Sequence, residues 1–375
     1  MKRIDLIYFE AGGGHRAAAT ALKLVIDQQQ RGWDVKLMNL QEILDPLDIF
    51  RKYTGVRMQD VYNLLLKKGW TLGAPQLTVA MHALIRLYHG GQVRLLKKYW
   101  APGEPDLVVS LVPNFNRALR ESLPHAPFVT VLTDLADYPP HFWMERQDQY
   151  FICGTAKAVE QALALGHPKE RVFQTSGMIL RPKFYEPITI DREEARDQLG
   201  LNTDMPTGLV LFGGEGSGVM LEIAKRVTAQ AQFIFICGKN QKLAERLRRM
   251  PTTFPKYVEG FTSEIPYYMY LSDFFIGKPG PGSISEALAM HLPVMVERNA
   301  WTLPQERYNT EWIREKDVGV VLKSFREIDT GVRTLLEPGN FARFRANAAA
   351  IKNRAAFEIP DMLDAILQQK ILSAR

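Results

Sequence analysis

The sequence contains little cysteine and no long apolar run. Its two cysteines, Cys153 and Cys237, each end a strand-like apolar run, so we expect buried, reduced thiols. No run of about 18 apolar residues occurs, so we expect no membrane-spanning helix. The first apolar run, residues 4–9, is too short for a signal peptide, which predicts a cytoplasmic protein.

Long polar tracts and repeats of fixed period are also absent, which argues against extensive disorder. The chain of 375 residues has the length of about two domains, and its hydrophobic content of 46% is ordinary for a globular protein. We therefore expect two folded domains, each with its own core.

Positive charge is concentrated in one region. Residues 51–100 contain nine basic residues and one acid, Asp60, which gives this segment a charge of +8 against +6 for the whole chain. Aromatic residues and leucines lie between these charges, as is typical of amphipathic helices in a lipid interface. Each basic residue near an anionic membrane contributes about 1 kcal/mol, so several together can hold a protein there reversibly.

The predicted membrane face takes its residues from this region: Lys67, Lys68, Trp70, Arg94, Lys97, Lys98 and Trp100. Two alternatives stay open. The leucines can pack inside the first domain and leave the charges simply solvated, or the segment can bind RNA. No recognised nucleic-acid motif occurs, so we expect no nucleic-acid partner.

Strand-like and helix-like segments alternate in both halves of the chain. This alternation predicts parallel sheets covered by helices, and residues 177–190, which contain two prolines, are typical of a linker. We predict an α/β fold with two Rossmann-like domains facing across a cleft, at residues 1–180 and 191–340, and C-terminal helices at 341–375 that pack on the first domain. The predicted strands are 4–9, 34–38, 106–112, 128–133, 149–153, 209–212, 233–237, 274–276 and 293–297, and the main predicted helices are 16–30, 156–165, 219–231 and 241–249.

Three glycine-rich loops follow predicted strands, at residues 12–14, 213–218 and 280–282. Ligands of open α/β sheets bind beyond the carboxyl ends of the strands, where these loops must lie. In the third loop, a helix is predicted to begin at Ser283, and the free amides and dipole of its first turn suit a phosphate. The alternative is that each loop is only a tight turn.

Polar residues near the third loop complete a candidate sugar-nucleotide site. Glu286 lies about one turn along the predicted helix, where it can accept hydrogen bonds from a sugar hydroxyl. Gln305 and Glu306 are placed at the start of the next helix. Together these residues suit a nucleotide diphosphate that carries a sugar.

A dinucleotide site is the alternative for the first loop, with Asp34 as the acid that binds ribose. His15 interrupts the glycine spacing of that loop, which weighs against this interpretation.

A sugar nucleotide can donate its sugar to an acceptor hydroxyl. Such a transfer needs a base for that hydroxyl, and His15 is the best candidate. It lies at a predicted helix start, where the helix dipole lowers its pKa and favours the neutral, proton-accepting form. Asp134 ends the 128–133 strand and is either the base or the residue that orients it; Asp137 and His141 rank lower. His15 can alternatively cap the helix or position a ligand.

No two aspartates in the chain are two positions apart, so the Asp-x-Asp metal motif is absent. We therefore expect metal-independent catalysis with no metal or other cofactor, in which backbone amides and helix N-termini stabilise the leaving diphosphate.

The run GPGSISEAL from Gly280 to Leu288, and the Gln305-Glu306 pair followed by Asn309, resemble the donor-binding segment of the GT-B glycosyltransferases related to the bacterial lipid II glucosaminyltransferase. They resemble the monogalactosyldiacylglycerol synthases more closely. The GGGH loop, and Thr133-Asp134-Leu135 with His141 and Trp143 after it, are similar to the N-terminal domain of the same synthases. The resemblance covers most of the chain and is strongest after residue 205.

The resemblance implies an inverting transfer in which the loop histidine handles the acceptor or acts in catalysis. It also implies that Phe261 and Thr262 border the uracil ring, that Glu286 binds the ribose, that Gly282 and Ser283 hold the diphosphate, and that Gln305 and Glu306 bind the hexose. The other predicted donor-binding residues are Gly214, Gly216, Ser217 and Gly280, and the predicted acceptor-binding residues are Gly13 and Gly14.

Two departures from the family pattern lie beside the residues that read the sugar. Pro279 replaces a small residue, and Leu303-Pro304 stand where a Pro-Gly pair is usual. The sequence is therefore compatible with either galactose or glucose as the transferred sugar.

The sequence and the resemblance together predict a hexosyltransferase that moves a sugar from a UDP-hexose to a lipid hydroxyl, that of diacylglycerol, at the inner face of the cell membrane. The alternatives are an epimerase or a polyprenyl-acceptor transferase of the same fold, and a basic RNA-binding protein.

Overall fold

The computed structural model describes residues 1–10, 13–47, 82, 83, 85–138 and 141–373. The chain forms two compact units: Met1–Pro182 together with Asn353–Arg375, and Lys183–Lys352. The predicted domain boundaries differ from these units near the C-terminus, because the helix Pro338–Ala350 lies in the second unit.

The first unit contains a parallel sheet with the strand order β2-β1-β3-β4-β5-β6. Its strands are β1 (Lys2–Tyr8), β2 (Trp33–Asn39), β3 (Leu107–Ser110), β4 (Phe128–Val131), β5 (Tyr150–Cys153) and β6 (Val172–Gln174). Its helices before the linker are α1 (Gly14–Gln28), α2 (Leu40–Leu44), α3 (His89–Trp100), α4 (Asn116–Ser122) and α5 (Ala156–Ala164). Ile4 pairs with Val35 on one side and with Leu107 on the other. β3 and β4 are buried along their whole length, as expected for parallel strands covered on both faces.

The second unit contains a parallel sheet with the strand order β12-β11-β10-β7-β8-β9. Its strands are β7 (Thr207–Leu211), β8 (Gln232–Ile236), β9 (Lys256–Glu259), β10 (Phe274–Gly277), β11 (Val294–Glu297) and β12 (Gly319–Leu322). Its helices are α6 (Arg192–Gln198), α7 (Val219–Arg226), α8 (Gln241–Arg249), α9 (Ile265–Tyr270), α10 (Pro281–Ala289), α11 (Arg307–Glu315), α12 (Ile328–Leu336) and α13 (Pro338–Ala350). The central strands β7 and β10 are buried along their whole length, and Leu209 of β7 pairs with Phe275 of β10.

The C-terminal helix α14 (Ala355–Ser373) returns to the first unit. Ile359, Leu363 and Ile366 recur at helical spacing and share a buried core with Leu22 and Ile26 of α1. This packing explains why a helix that follows the second unit in sequence belongs to the first unit in space.

Each sheet reverses its strand order once. The reversal lies between β1 and β3 in the first unit and between β7 and β10 in the second. The crevice at such a reversal, beyond the carboxyl ends of the strands, is where open α/β sheets bind ligands. Gly13 and Gly14, which follow β1, and the glycine loops after β7 and β10 therefore lie where such sheets bind ligands. The predicted α/β fold class is confirmed.

Candidate functional site

In the second unit, the glycine loop after β7 is held by a tight backbone contact with the segment after β8. Gly213 and Gly216 have φ values of 78° and 63°, which favour glycine. A Cβ on Gly216 would lie 2.5 Å from the Cys237 carbonyl oxygen, and the amide of Lys239 donates to the Gly214 carbonyl oxygen at 2.8 Å. Gly214 itself faces open space, so a ligand can approach the loop backbone there.

The loop after β10 leads directly into α10. This helix begins at Pro281 rather than at the predicted Ser283, because proline is favoured at the first helical position, where its missing N–H costs nothing. Gly280 occupies the N-cap position, and no side chain caps the helix. Gly282 faces open space, and Ser283 lies in the first turn. The geometry suits a phosphate at the backbone amides.

Two residues that follow β11 support this loop. Asn309 is completely buried, and its Nδ2 donates to the Pro279 carbonyl oxygen at 2.7 Å. Glu306 is also buried, and its Oε1 lies 3.5 Å from the Nζ of Lys278. Gln305 and Glu306, the predicted hexose-binding pair, lie in the 3-10 turn Pro304–Glu306 before α11. The Glu306 carboxylate of this pair lies beside Lys278 and Gly280 of the predicted phosphate-binding loop.

Glu286 lies on α10, one turn after Gly282, and is half-buried. Phe261 and Thr262 lie after β9 at the same edge of the sheet. Phe261 is 64% exposed, and the ammonium of Lys239, which is bonded to the β7 loop through its amide, lies 6.0 Å from the centre of its ring. An exposed aromatic face beside this loop suits stacking against a base.

Hydrogen bonds to Glu259 hold the start of the loop that carries Phe261. Glu259 at the end of β9 accepts hydrogen bonds from the Gly260 amide and the Tyr268 hydroxyl, both at 2.7 Å. Burial raises the pKa of the Tyr268 phenol, so the hydroxyl keeps its proton and remains a donor.

In the first unit, His15 lies in the first turn of α1, after Gly13 in the left-handed conformation. Its Nδ1 is 3.1 Å from the Thr133 hydroxyl, and its ring packs 5.8 Å from the indole of Trp143. Burial lowers the pKa of His15 to about 4, and a hydrogen bond to the Leu111 backbone opposes this effect only in part. Burial, rather than the helix dipole invoked from the sequence, is thus the main cause of its neutral state.

Asp134 contacts the same tryptophan, since its Oδ2 accepts a hydrogen bond from the Trp143 indole at 2.8 Å. Trp143 is fully buried. Because its indole contacts both His15 and Asp134, it connects the two predicted base candidates. The predicted acceptor-binding residues Gly13 and Gly14 have open space where a side chain would project. Thr133 and Trp143 belong to a motif of the resemblance, but nothing in the sequence indicates that they contact the histidine.

Asp137 has a structural role. Its buried carboxylate accepts hydrogen bonds from the amides of Phe142 and Trp143, at 2.8 and 3.0 Å, and lies 3.1 Å from Nδ1 of His141. It holds in place the segment that carries Trp143.

The predicted membrane face is only partly described. Lys67, Lys68 and Trp70 lie outside the described residues, whereas Arg94, Lys97 and Lys98 are exposed on α3. The assignment of Trp100 to this face is wrong: it is 1% exposed, packs in the first unit's core, and donates its indole N–H to Asp5 at 2.8 Å. Because the indole is enclosed in this core, it is not available to a lipid surface. No helix in the described parts of the chain is long and apolar enough to cross a membrane.

Comparisons with known proteins agree with this architecture. No protein-family model matches the chain. The chloroplastic monogalactosyldiacylglycerol synthase of Spinacia oleracea is 29% identical to this chain over an alignment of 411 residues. The alignment covers 99% of this chain and 73% of the relative.

Two solved structures share the fold. The S. aureus MnaA–UDP co-structure has a TM-score of 0.63 at 14% identity and covers 98% of this chain and 97% of its own. MurG of Acinetobacter baumannii has a TM-score of 0.60 at 12% identity, covering 97% of this chain and 100% of its own. The predicted resemblance and fold are therefore confirmed: the chain has the GT-B fold and is similar to the monogalactosyldiacylglycerol synthases.

Proposed function

We propose that this chain is a hexosyltransferase that transfers the sugar of a UDP-hexose to the hydroxyl of a lipid, diacylglycerol, with inversion at the anomeric carbon and without a metal ion. The observation that carries the proposal is the grouping of two glycine loops, an exposed aromatic residue and a buried glutamate at one sheet edge of the second unit. Near-full-length similarity to a galactolipid synthase and a fold shared with a UDP-bound protein support it.

The second unit supplies the donor site in this proposal. Phe261 stacks on the uracil, and Glu286 accepts hydrogen bonds from the ribose hydroxyls. The amides of the β7 loop and of the first turn of α10 receive the diphosphate, because both have open approaches at Gly214 and Gly282. Gln305 and Glu306 bind the hexose hydroxyls, next to the phosphate-binding loop.

The first unit supplies the base. His15 is neutral at physiological pH because burial holds its pKa near 4, so its imidazole keeps a lone pair that can accept a proton. As the lipid oxygen bonds to the anomeric carbon, the lipid hydroxyl passes its proton to His15 and the bond between that carbon and the diphosphate oxygen breaks. Attack from the side opposite the diphosphate inverts the configuration, and UDP leaves. Asp134 is the alternative base, and Trp143 contacts both residues.

A metal-free departure of UDP requires other positive potential at the diphosphate. The chain has no Asp-x-Asp motif, and backbone amides and helix dipoles supply this potential in the proposal. UDP-hexose is then the donor substrate, and no cofactor takes part.

The lipid acceptor places the reaction at a membrane. We propose that the basic segment holds the enzyme peripherally on an anionic surface, the inner face of the cell membrane, and that the exposed Arg94, Lys97 and Lys98 of α3 contribute to this attraction.

The proposal is tested by incubating the protein with labelled UDP-galactose or UDP-glucose and liposomes that contain diacylglycerol, in EDTA, and analysing the lipids by mass spectrometry. We expect one hexosyl-diacylglycerol product, with a β-anomeric configuration from an α-linked donor. His15→Ala should lower turnover by about a hundredfold with nearly unchanged UDP affinity. Lys225→Ala, on the exposed side of α7, is the matched control and should behave as wild type. Glycolipid formation that stops in EDTA would contradict the metal-free part, and labelled UDP-hexose that yields only a free sugar or an epimer would contradict the transfer.

A further inference from the structure

Lys278 lies between the two glycine loops of the second unit. It directly follows β10, and its Cε is 3.8 Å from where a Cβ on Gly213 would lie and 3.4 Å from where one on Gly280 would lie. A side chain at either glycine would therefore lie in van der Waals contact with the lysine. Gly213 follows β7, so Lys278 lies where the strand order of the sheet reverses.

The ammonium of Lys278 is positioned by Glu306. The Nζ and Oε1 atoms are 3.5 Å apart, and the side chain of Glu306 is 11% exposed whereas that of Lys278 is 45% exposed. The pair is therefore asymmetric, with a carboxylate enclosed by protein and an ammonium that still reaches solvent. Since an ammonium has three donors, it can contact Glu306 and an anion at the same time.

A purely structural ion pair explains this arrangement less well. A partly exposed ion pair contributes about 0–1 kcal/mol to folding stability. This contribution is too small to explain by itself why a carboxylate is enclosed at this position. The pair also lies next to a loop that is held independently, by the bond from Asn309 to the Pro279 carbonyl oxygen. The loop therefore has a support that does not involve the Lys278 side chain.

We propose that Lys278 binds the diphosphate of the donor and that Glu306, besides contacting the hexose, holds the ammonium in place for it. This inference rests on the proposed function and assigns Lys278 as a donor-binding residue. A point charge at this position compensates the charge that builds up on the leaving diphosphate, which amides alone do less strongly. It also links the two halves of the donor, because the group that binds the hexose is the partner of the group that binds the phosphate.

The test compares UDP with uridine, which has the same base and ribose and no phosphate, by calorimetric titration. Lys278→Met should weaken UDP binding about ten- to a hundredfold, the range expected for one hydrogen bond to a charged group, and leave uridine binding unchanged. Lys278→Arg should recover most of the UDP affinity. Lys225→Met, which removes a remote exposed lysine of the same unit, should change neither affinity.

Removing one charge leaves the buried Glu306 without its partner, so a double variant, Lys278→Met with Glu306→Gln, separates unfolding from loss of the contact. It should keep uridine affinity and still show the weakened UDP binding. Unchanged UDP affinity in both variants, or an equal loss for uridine and UDP, would overturn the role of Lys278. Failure of the wild type to bind UDP at all would instead overturn the proposed function.

Discussion

His15 should remain neutral down to an unusually low pH. Its pKa in the folded protein is about 4, against 6.5 in the unfolded chain, because burial penalises the imidazolium. The difference of about 2.5 units corresponds to about 3 kcal/mol. Since the folded pKa is the lower one, the unfolded chain binds the extra proton first as the pH falls. His15 therefore imposes no penalty above pH 6.5, a growing one between pH 6.5 and 4, and a constant one below pH 4.

Two measurements check this prediction. In a histidine Cε1 NMR titration, the signal that is lost in His15→Gln should titrate near pH 4. In urea unfolding, the free energy of the wild type relative to His15→Gln should fall by about 3 kcal/mol between pH 7 and pH 4. The comparison removes the contribution of other titrating groups, which both proteins share. A His15 signal that titrates near 6.5, or a stability difference that is independent of pH, would refute the assignment of burial as the dominant cause.

The remaining predictions concern donor binding, stability and membrane attachment. Glu286→Ala should weaken UDP binding by about 1.5 to 3 kcal/mol in calorimetry without changing the unfolding temperature, and an unchanged affinity would remove Glu286 from the site. Asp329→Ala should cost about 1 kcal/mol at pH 7 after solvent screening, because Asp329 bonds the Thr228 and Ala229 amides. These bonds hold the pKa of Asp329 at about 2. The loss of stability in the variant should therefore be present above pH 4 and vanish towards pH 2 in urea titrations. A loss of stability that does not vary with pH would count against this explanation. A variant with Gln at five basic positions should sediment less with anionic liposomes at low salt, while its UDP binding stays intact. The five positions are Lys67, Lys68, Arg94, Lys97 and Lys98. If this variant sediments as well as the wild type, these residues form an ordinary solvated surface.

Much of the fold could be predicted from local sequence patterns. The strands are short apolar runs that end at glycine or polar residues, and parallel strands buried on both faces give a strong signal of this kind. The loops after β1, β7 and β10 could be predicted for the same reason, because glycine is needed where the backbone turns sharply or packs against a neighbouring segment.

The departures arise from contacts between residues far apart in sequence. The helix predicted at 219–231 ends at Arg226, because Asp329 binds the next amides at Thr228 and Ala229 and draws the chain away from a helical path. Trp100 is aromatic and follows two lysines, a pattern that favours a lipid face, but its hydrogen bond to Asp5 depends on the fold.

Lys278 was missed for a similar reason. It stands between a strand and a proline, where a lysine gives no signal by itself. Its relation to Glu306 and to both glycine loops depends on β7 and β10 being neighbours in the sheet. The motif around Gly280 indicated a donor site, whereas the charge within that site became evident only from the structure.

The most direct test is the release of UDP from UDP-hexose, measured with and without diacylglycerol liposomes in the presence of EDTA. We expect rapid release that depends on diacylglycerol, with one UDP formed for each glycolipid molecule. Release at the same rate without the lipid, or no release with either UDP-galactose or UDP-glucose, would contradict a hexosyltransferase that acts on a lipid hydroxyl.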